Sequence, residues 1–182
     1  MQGLVIGAEE VKARWAYSEV ASSRFAPLIT PHLGKEIHRL SRQGAPFGAV
    51  APRHHPHLAA ALGRFRSSQH IGLVDTLGAE AFECVGWLPG QLLRCVTLPV
   101  FGGKQYYRFL ACPPLLNGDG HARTDDPRHA ASRIPVNHSG PVAEAVIAVG
   151  HKDRYLLIDG YLRSLLWLRA GKEPLPVWVP KR

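Results

Sequence analysis

The chain has 182 residues, enough for one domain or one domain with a helical extension, and its 46% hydrophobic content suits a globular protein with a buried core. Lysine and arginine number 22 against 14 acidic residues, for a formal net charge of +8, so a polyanionic partner competes with a plain basic surface as the explanation. Cys84, Cys95 and Cys112 include no close pair, and no signal peptide or long apolar span stands out, which argues against a disulfide framework, a zinc ribbon or a membrane protein and for a reducing cytoplasm.

Met1–Ile6 is a short apolar lead that fits a strand or a frayed start. Residues 8–22 are expected to be helical, since Glu9 and Glu10 suit a first turn and Val11, Trp15 and Ser18 or Glu19 share a face. Trp15 and Tyr17 are assigned to packing, with base stacking as the alternative. Phe25–Pro31 is expected as a linker, with Thr30-Pro31 the capped start of a second helix running to Arg42. Lys35, Arg39 and Arg42 stand there at three- and four-residue spacings and are the candidate DNA contacts. A Gly- and Pro-rich loop over 43–56 and a third helix over 57–65 follow. Three helices on a basic chain suggest a helix-turn-helix, but the long loop between the second and third spoils its tight turn. His54, His55 and His57 have no Cys or carboxylate at ligand spacing, so they are read as solvated rather than as a zinc site.

From residue 70 the sequence changes character. Ile71–Leu77, Ala81–Trp87, Leu92–Val100 and Gln105–Ala111 are short apolar stretches, and the last two read as a hairpin through Gly102-Gly103. Gly102-Gly103-Lys104 lacks the lead and the following hydroxyl of a phosphate loop. Thr124–Pro127 caps a short helix expected over 128–132.

The C-terminal stretch organises the rest. Arg154–Ile158 reads as a buried strand, Asp159-Gly160 breaks it, Tyr161–Ala170 has helical spacing, and Val177–Val179 is a further strand. N–H groups at a helix start, together with the dipole, suit an anion such as phosphate. Arg163 falls in the first turn, where the dipole disfavours a cation unless an anion is at hand. The alternative is a solvated surface arginine that contributes little to stability.

Gly140–Val149, Tyr155–Gly160, Arg163, Gly171 and Leu175–Val179, in that order and spacing, resemble the ParB/sulfiredoxin superfamily over residues 124–180. The resemblance implies an α+β fold, a small mixed sheet with flanking helices over 69–182, preceded by a mainly helical region over 1–68. It also implies a nucleotide or phosphate held by Gly160, Tyr161 and Arg163 and lined by Asn137, His138 and Ser139. Asp159 or Glu144 would position Mg²⁺ for a nucleoside triphosphate. Two departures limit the carry-over. Partition proteins usually read Gly-Glu-Arg-Arg where this chain has Gly160-Tyr161-Leu162-Arg163, and sulfiredoxins need a Cys in the place of Tyr161. Sulfinic acid reduction is therefore not expected, nor is a complete partition protein from a chain that stops at Arg182.

No strong general base or full metal cage is legible, so binding is expected above catalysis, with weak NTPase or nuclease activity as the catalytic version. Two alternatives remain. One is a DNA-binding regulatory or partition-related protein. The other is an interaction module that has kept the fold and lost its ligand, a reading favoured by Leu162 where the family commonly has Arg. Nothing in the sequence sets the identity of the nucleotide or the oligomeric state.

Overall fold

The computed structural model describes residues 3–20, 25–64, 68–77, 81–97, 107–108, 145–151, 153–170 and 174–181. Their helices and strands are β1 (Val5–Ile6), α1 (Ala8–Glu19), α2 (Ala26–Ile29), α3 (Lys35–Arg42), α4 (His55–Leu62), α5 (Ser68–Leu77), β2 (Phe82–Trp87), α6 (Pro89–Leu93), β3 (Val96–Thr97), β4 (Tyr107–Arg108), β5 (Val146–His151), β6 (Arg154–Asp159), α7 (Tyr161–Ala170) and β7 (Leu175–Pro180). This is an α+β chain. Its described residues form two compact units, one within Val5–Phe82 and one within Glu83–Val136 and Ala145–Pro180, with Met1–Leu4 in the second. The division falls after Phe82.

In the helical unit, α1 packs on α4 and α5. Glu9 and Glu10 favour its first turn through the dipole, and Val11, Trp15 and Ala16 are buried at helical spacing. Trp15 and Tyr17 are core residues, as expected: the Trp15 indole donates to Glu19 at 3.3 Å and the Tyr17 hydroxyl to the Ala45 carbonyl at 2.8 Å. Arg14 pairs with Glu10 at 2.8 Å and lies 4.4 Å from the centre of the Phe47 ring.

Two expectations fail in this unit. Phe25–Pro31 is not a linker, because it holds α2 and the start of a 3₁₀ turn over Thr30–His32, with Ile29 fully buried. That burial is tertiary and leaves no periodic mark on four residues. Extended backbone at Leu33 (ψ 141°) and Gly34 (ψ 159°) then delays α3 until Lys35. Ile71–Leu77, a short apolar stretch in the sequence, is the latter part of α5. Within 71–76 only Val74 is buried, which is not the alternation of a sheet face, and Asp75 accepts from Lys12 of α1 at 2.6 Å.

In the other unit the strands lie in the order β2-β7-β5-β6-β3-β4. β5 runs parallel to β7 and antiparallel to β6, and β6 runs parallel to β3. Val96 opposite Arg108 and Thr97 opposite Tyr107 make β3 and β4 an antiparallel pair, as the expected hairpin requires, while its turn at Gly102-Gly103 lies outside the described residues. Leu92 and Leu93 are not part of it. They end α6, which Pro89 opens and in which the Gln91 side chain accepts from the Leu88 N–H at 2.9 Å. The core joins Trp87, Leu92, Val146, Leu157, Leu165 and Val177, so α7 is fixed to the sheet by its leucines. Among the described residues no helix is long and apolar enough to cross a membrane. The helix expected over 128–132 lies outside the described residues.

Candidate functional site at the strand-to-helix turn

The β6–α7 junction forms as the sequence suggests, and its geometry explains why each residue is there. Leu156, Leu157, Ile158 and Asp159 are all buried. Four consecutive buried side chains would not suit a regular one-faced strand, and the register shows part of the reason. Ile147 faces Asp159 while Ala148 faces Leu157, which leaves Ile158 as one extra residue in β6. Gly160 then turns the chain at φ +90°, a conformation L side chains rarely adopt. A Cβ at Gly160 would stand 2.4 Å from Val146 Cγ1 and 2.7 Å from Val146 Cβ. The backbone approach that the glycine permits is therefore that of β5.

Helix α7 starts immediately after the turn. The Ser164 N–H donates to the Gly160 carbonyl at 2.8 Å, and the Ser164 hydroxyl donates to the same oxygen at 2.9 Å. The N–H groups of residues 161–163 lie ahead of this bond, the place from which helix starts hold anions. Tyr161 is half-buried and packs against the core of the unit.

Arg163 is not a solvated surface residue. It is only 9% exposed; Nη2 donates to Asp159 Oδ2, and Nη1 donates to the Ala145 carbonyl at 3.2 Å. Asp159 is 7% exposed, so the ion pair is buried on both sides. The anion that a first-turn arginine calls for is thus present within the chain, four residues upstream. The guanidinium ties the end of β6, the first turn of α7 and the backbone entering β5 into one joint. Asn137, His138, Ser139 and Glu144 lie outside the described residues.

The pairing also bears on a metal. Asp159 Oδ2 is engaged by Arg163, so a Mg²⁺ at this carboxylate would share it with the guanidinium. Among the described residues no group of three or more His, Cys, Asp or Glu side chains could hold a metal ion.

No family model, curated protein or solved structure matches this chain.

A second constellation lies in the helical unit. Lys35, Arg39 and Arg42 are exposed and border a groove of about 770 Å³ together with Thr30, Pro31, Leu33, His38 and Gln43. Of the loop histidines, read as solvated, His54 instead meets α3. His54 Nε2 and Arg53 Nη2 both meet Glu36 Oε2, at 2.8 and 2.9 Å, and His57 bonds the His32 carbonyl. These contacts, the His54 bond foremost, hold the Glu36 carboxyl below its ordinary value. His55 stacks on Phe47 at 4.9 Å. Cys84 and Cys95 are buried thiols, as expected, and burial pushes Cys95 up to about 12.

Proposed function

We propose that the chain binds a phosphate-bearing ligand, a nucleotide, at the start of α7, with the backbone N–H groups after Gly160 as donors and Arg163 as the positive charge beside them. The observation that carries the reading is a guanidinium held, 9% exposed, in the first turn of a helix that begins at a positive-φ glycine. The residues shared with the ParB/sulfiredoxin superfamily support the same choice. In this reading Asp159 is the internal counterion that holds Arg163 in place, and an arriving phosphate shares or takes over the guanidinium. A nucleoside triphosphate with Mg²⁺ fits if the metal rides on the phosphates, as Mg²⁺ commonly does. The proposal is one of binding. Asp159, engaged by Arg163, is not poised as a general base, and no hydrolytic step is assigned.

The test is calorimetric titration with CTP, ATP, ADP and GTP, with and without Mg²⁺, on the wild type and on Asp159→Asn. The amide keeps a hydrogen bond to Arg163 and removes a negative charge beside the phosphate. With a unit charge about 6 Å away in an effective dielectric of about 40, affinity should rise about tenfold, or about 1.4 kcal/mol. Binding by neither protein would leave the turn as a strand-to-helix joint and favour an interaction module that has lost its ligand.

A second reading, contact with DNA through the helical unit, is favoured by one observation. The three basic residues of α3 border a common groove instead of scattering over the surface.

A further inference from the structure

We propose that the α3 groove is a track for the phosphate backbone of double-stranded DNA, with Lys35, Arg39 and Arg42 each meeting one phosphate. The inference rests on the DNA-contacting reading and is independent of the nucleotide site, since every residue it uses lies in the helical unit. Counted at about 100° per residue, the three cations fall within an arc of about 60° on α3. Ile37 and Leu40 are buried on the other side. Along the axis Lys35 and Arg42 are about 10 Å apart, the rise of about three nucleotides of one DNA strand.

The charges of α3 are sorted accordingly. Its acidic residue, Glu36, is drawn to Arg53 and His54, whereas among the described residues none of the three cations has a carboxylate partner. The helix dipole explains cations in the last turn, where Arg39 and Arg42 stand. It does not explain Lys35 at the first position, against the dipole, whereas a phosphate in the groove does. The lining also selects duplex over single strand. His38 is its one aromatic ring, and Nε2 of that ring is bonded to the Thr30 carbonyl at 2.7 Å. A single-strand reader would offer open stacking platforms, while a duplex presents only its backbone.

The experiment is fluorescence anisotropy on a random-sequence duplex as a function of salt. Wild-type affinity should fall steeply, and the triple variant Lys35→Ala, Arg39→Ala, Arg42→Ala should flatten the log–log slope by about 2.7, or about 0.9 for each phosphate no longer neutralised. Between 50 and 200 mM salt, that slope difference amounts to a roughly 40-fold smaller loss of affinity in the triple variant. All three side chains are exposed, so the variant should keep the wild-type circular dichroism and melting curve. If it does not, Arg42→Gln alone should flatten the slope by about 0.9. The control is Arg64→Ala, Arg94→Ala, Arg154→Ala, which removes the same charge from exposed positions outside the groove. An equal change in the control means a diffuse field and overturns the groove. Duplex binding with an unchanged slope in the α3 variant overturns the groove but spares the DNA reading, whereas no binding at about 50 mM salt sinks both. Tighter binding of single strands than of duplex would also overturn it.

Discussion

Replacing Arg163 by Ala is the sharpest perturbation of the joint that the structure describes. The substitution leaves Asp159, 7% exposed, as a buried carboxylate without the guanidinium that neutralises it, and removes the donor to the Ala145 carbonyl. Removing one partner of a buried pair costs about 3–5 kcal/mol, against about 0–1 kcal/mol for an exposed pair. At about 2–4 °C per kcal/mol for a chain of this size, the melting temperature should drop by about 6–20 °C. Urea unfolding followed by tryptophan fluorescence can measure this, because Trp87, Trp167 and Trp178 are all buried in the unit that carries the joint. The double variant Asp159→Ala, Arg163→Ala should be less destabilised than the sum of the two singles by about 0.5–3 kcal/mol, since it leaves no charge stranded. A loss below about 1 kcal/mol for Arg163→Ala would refute the reasoning, placing the side chain among ordinary surface arginines. Arg163→Ala removes the guanidinium proposed to meet the phosphate as well as costing stability, whereas Asp159→Asn keeps it, so Asp159→Asn, checked for folding by its melting curve, is the better probe of ligand affinity.

Gly160→Ala should destabilise by about 2–5 kcal/mol in urea unfolding, about 1–3 from the positive φ and the rest from the clash with Val146. Adding Val146→Ala removes the Cγ1 contact but keeps Val146 Cβ at 2.7 Å, so it should recover only part of the steric share, and full recovery would mean the backbone is not strained. In native protein Cys84 and Cys95 should resist iodoacetamide at neutral pH when labelled peptides are read by mass spectrometry, because burial blocks access and keeps Cys95 as a thiol. Rapid labelling of Cys95 before unfolding would contradict its placement. Glu36 has a folded value below 4.5, so its stabilising contribution is present above that value and lost as pH falls through the lower, folded one. Glu36→Gln should therefore lessen the acid-induced loss of stability in that window, and an unchanged acid limb would count against the Arg53–Glu36–His54 contact.

Much of the turn was legible because it is local. The run Leu156-Leu157-Ile158, the glycine and the three- and four-residue spacing from Tyr161 onward specify strand, turn and helix without tertiary help. The partner of Arg163 was also within reach. Asp159 stands four residues upstream, but the pair spans a strand end and a helix start, so the helical i,i+4 rule did not point to it. The approach of Val146 to Gly160 is set by sheet register and leaves no trace in either segment. Ile71–Leu77 was ambiguous for another reason. A short apolar run that contains a glycine fits strand and helix equally, and packing against α1 decides between them. The basic spacing on α3 could be read directly, whereas the removal of Glu36 by Arg53 and His54 depends on contacts far apart in sequence.

The most direct measurement is the amide spectrum of isotope-labelled protein during addition of CTP or ATP with Mg²⁺. Phosphate binding at the start of α7 predicts saturable shifts concentrated on the N–H groups of Tyr161, Leu162 and Arg163, enhanced in Leu162→Arg, which adds a second guanidinium to the turn. Amide signals at these three residues that stay fixed at millimolar nucleotide, in the wild type and in Leu162→Arg alike, would contradict the account.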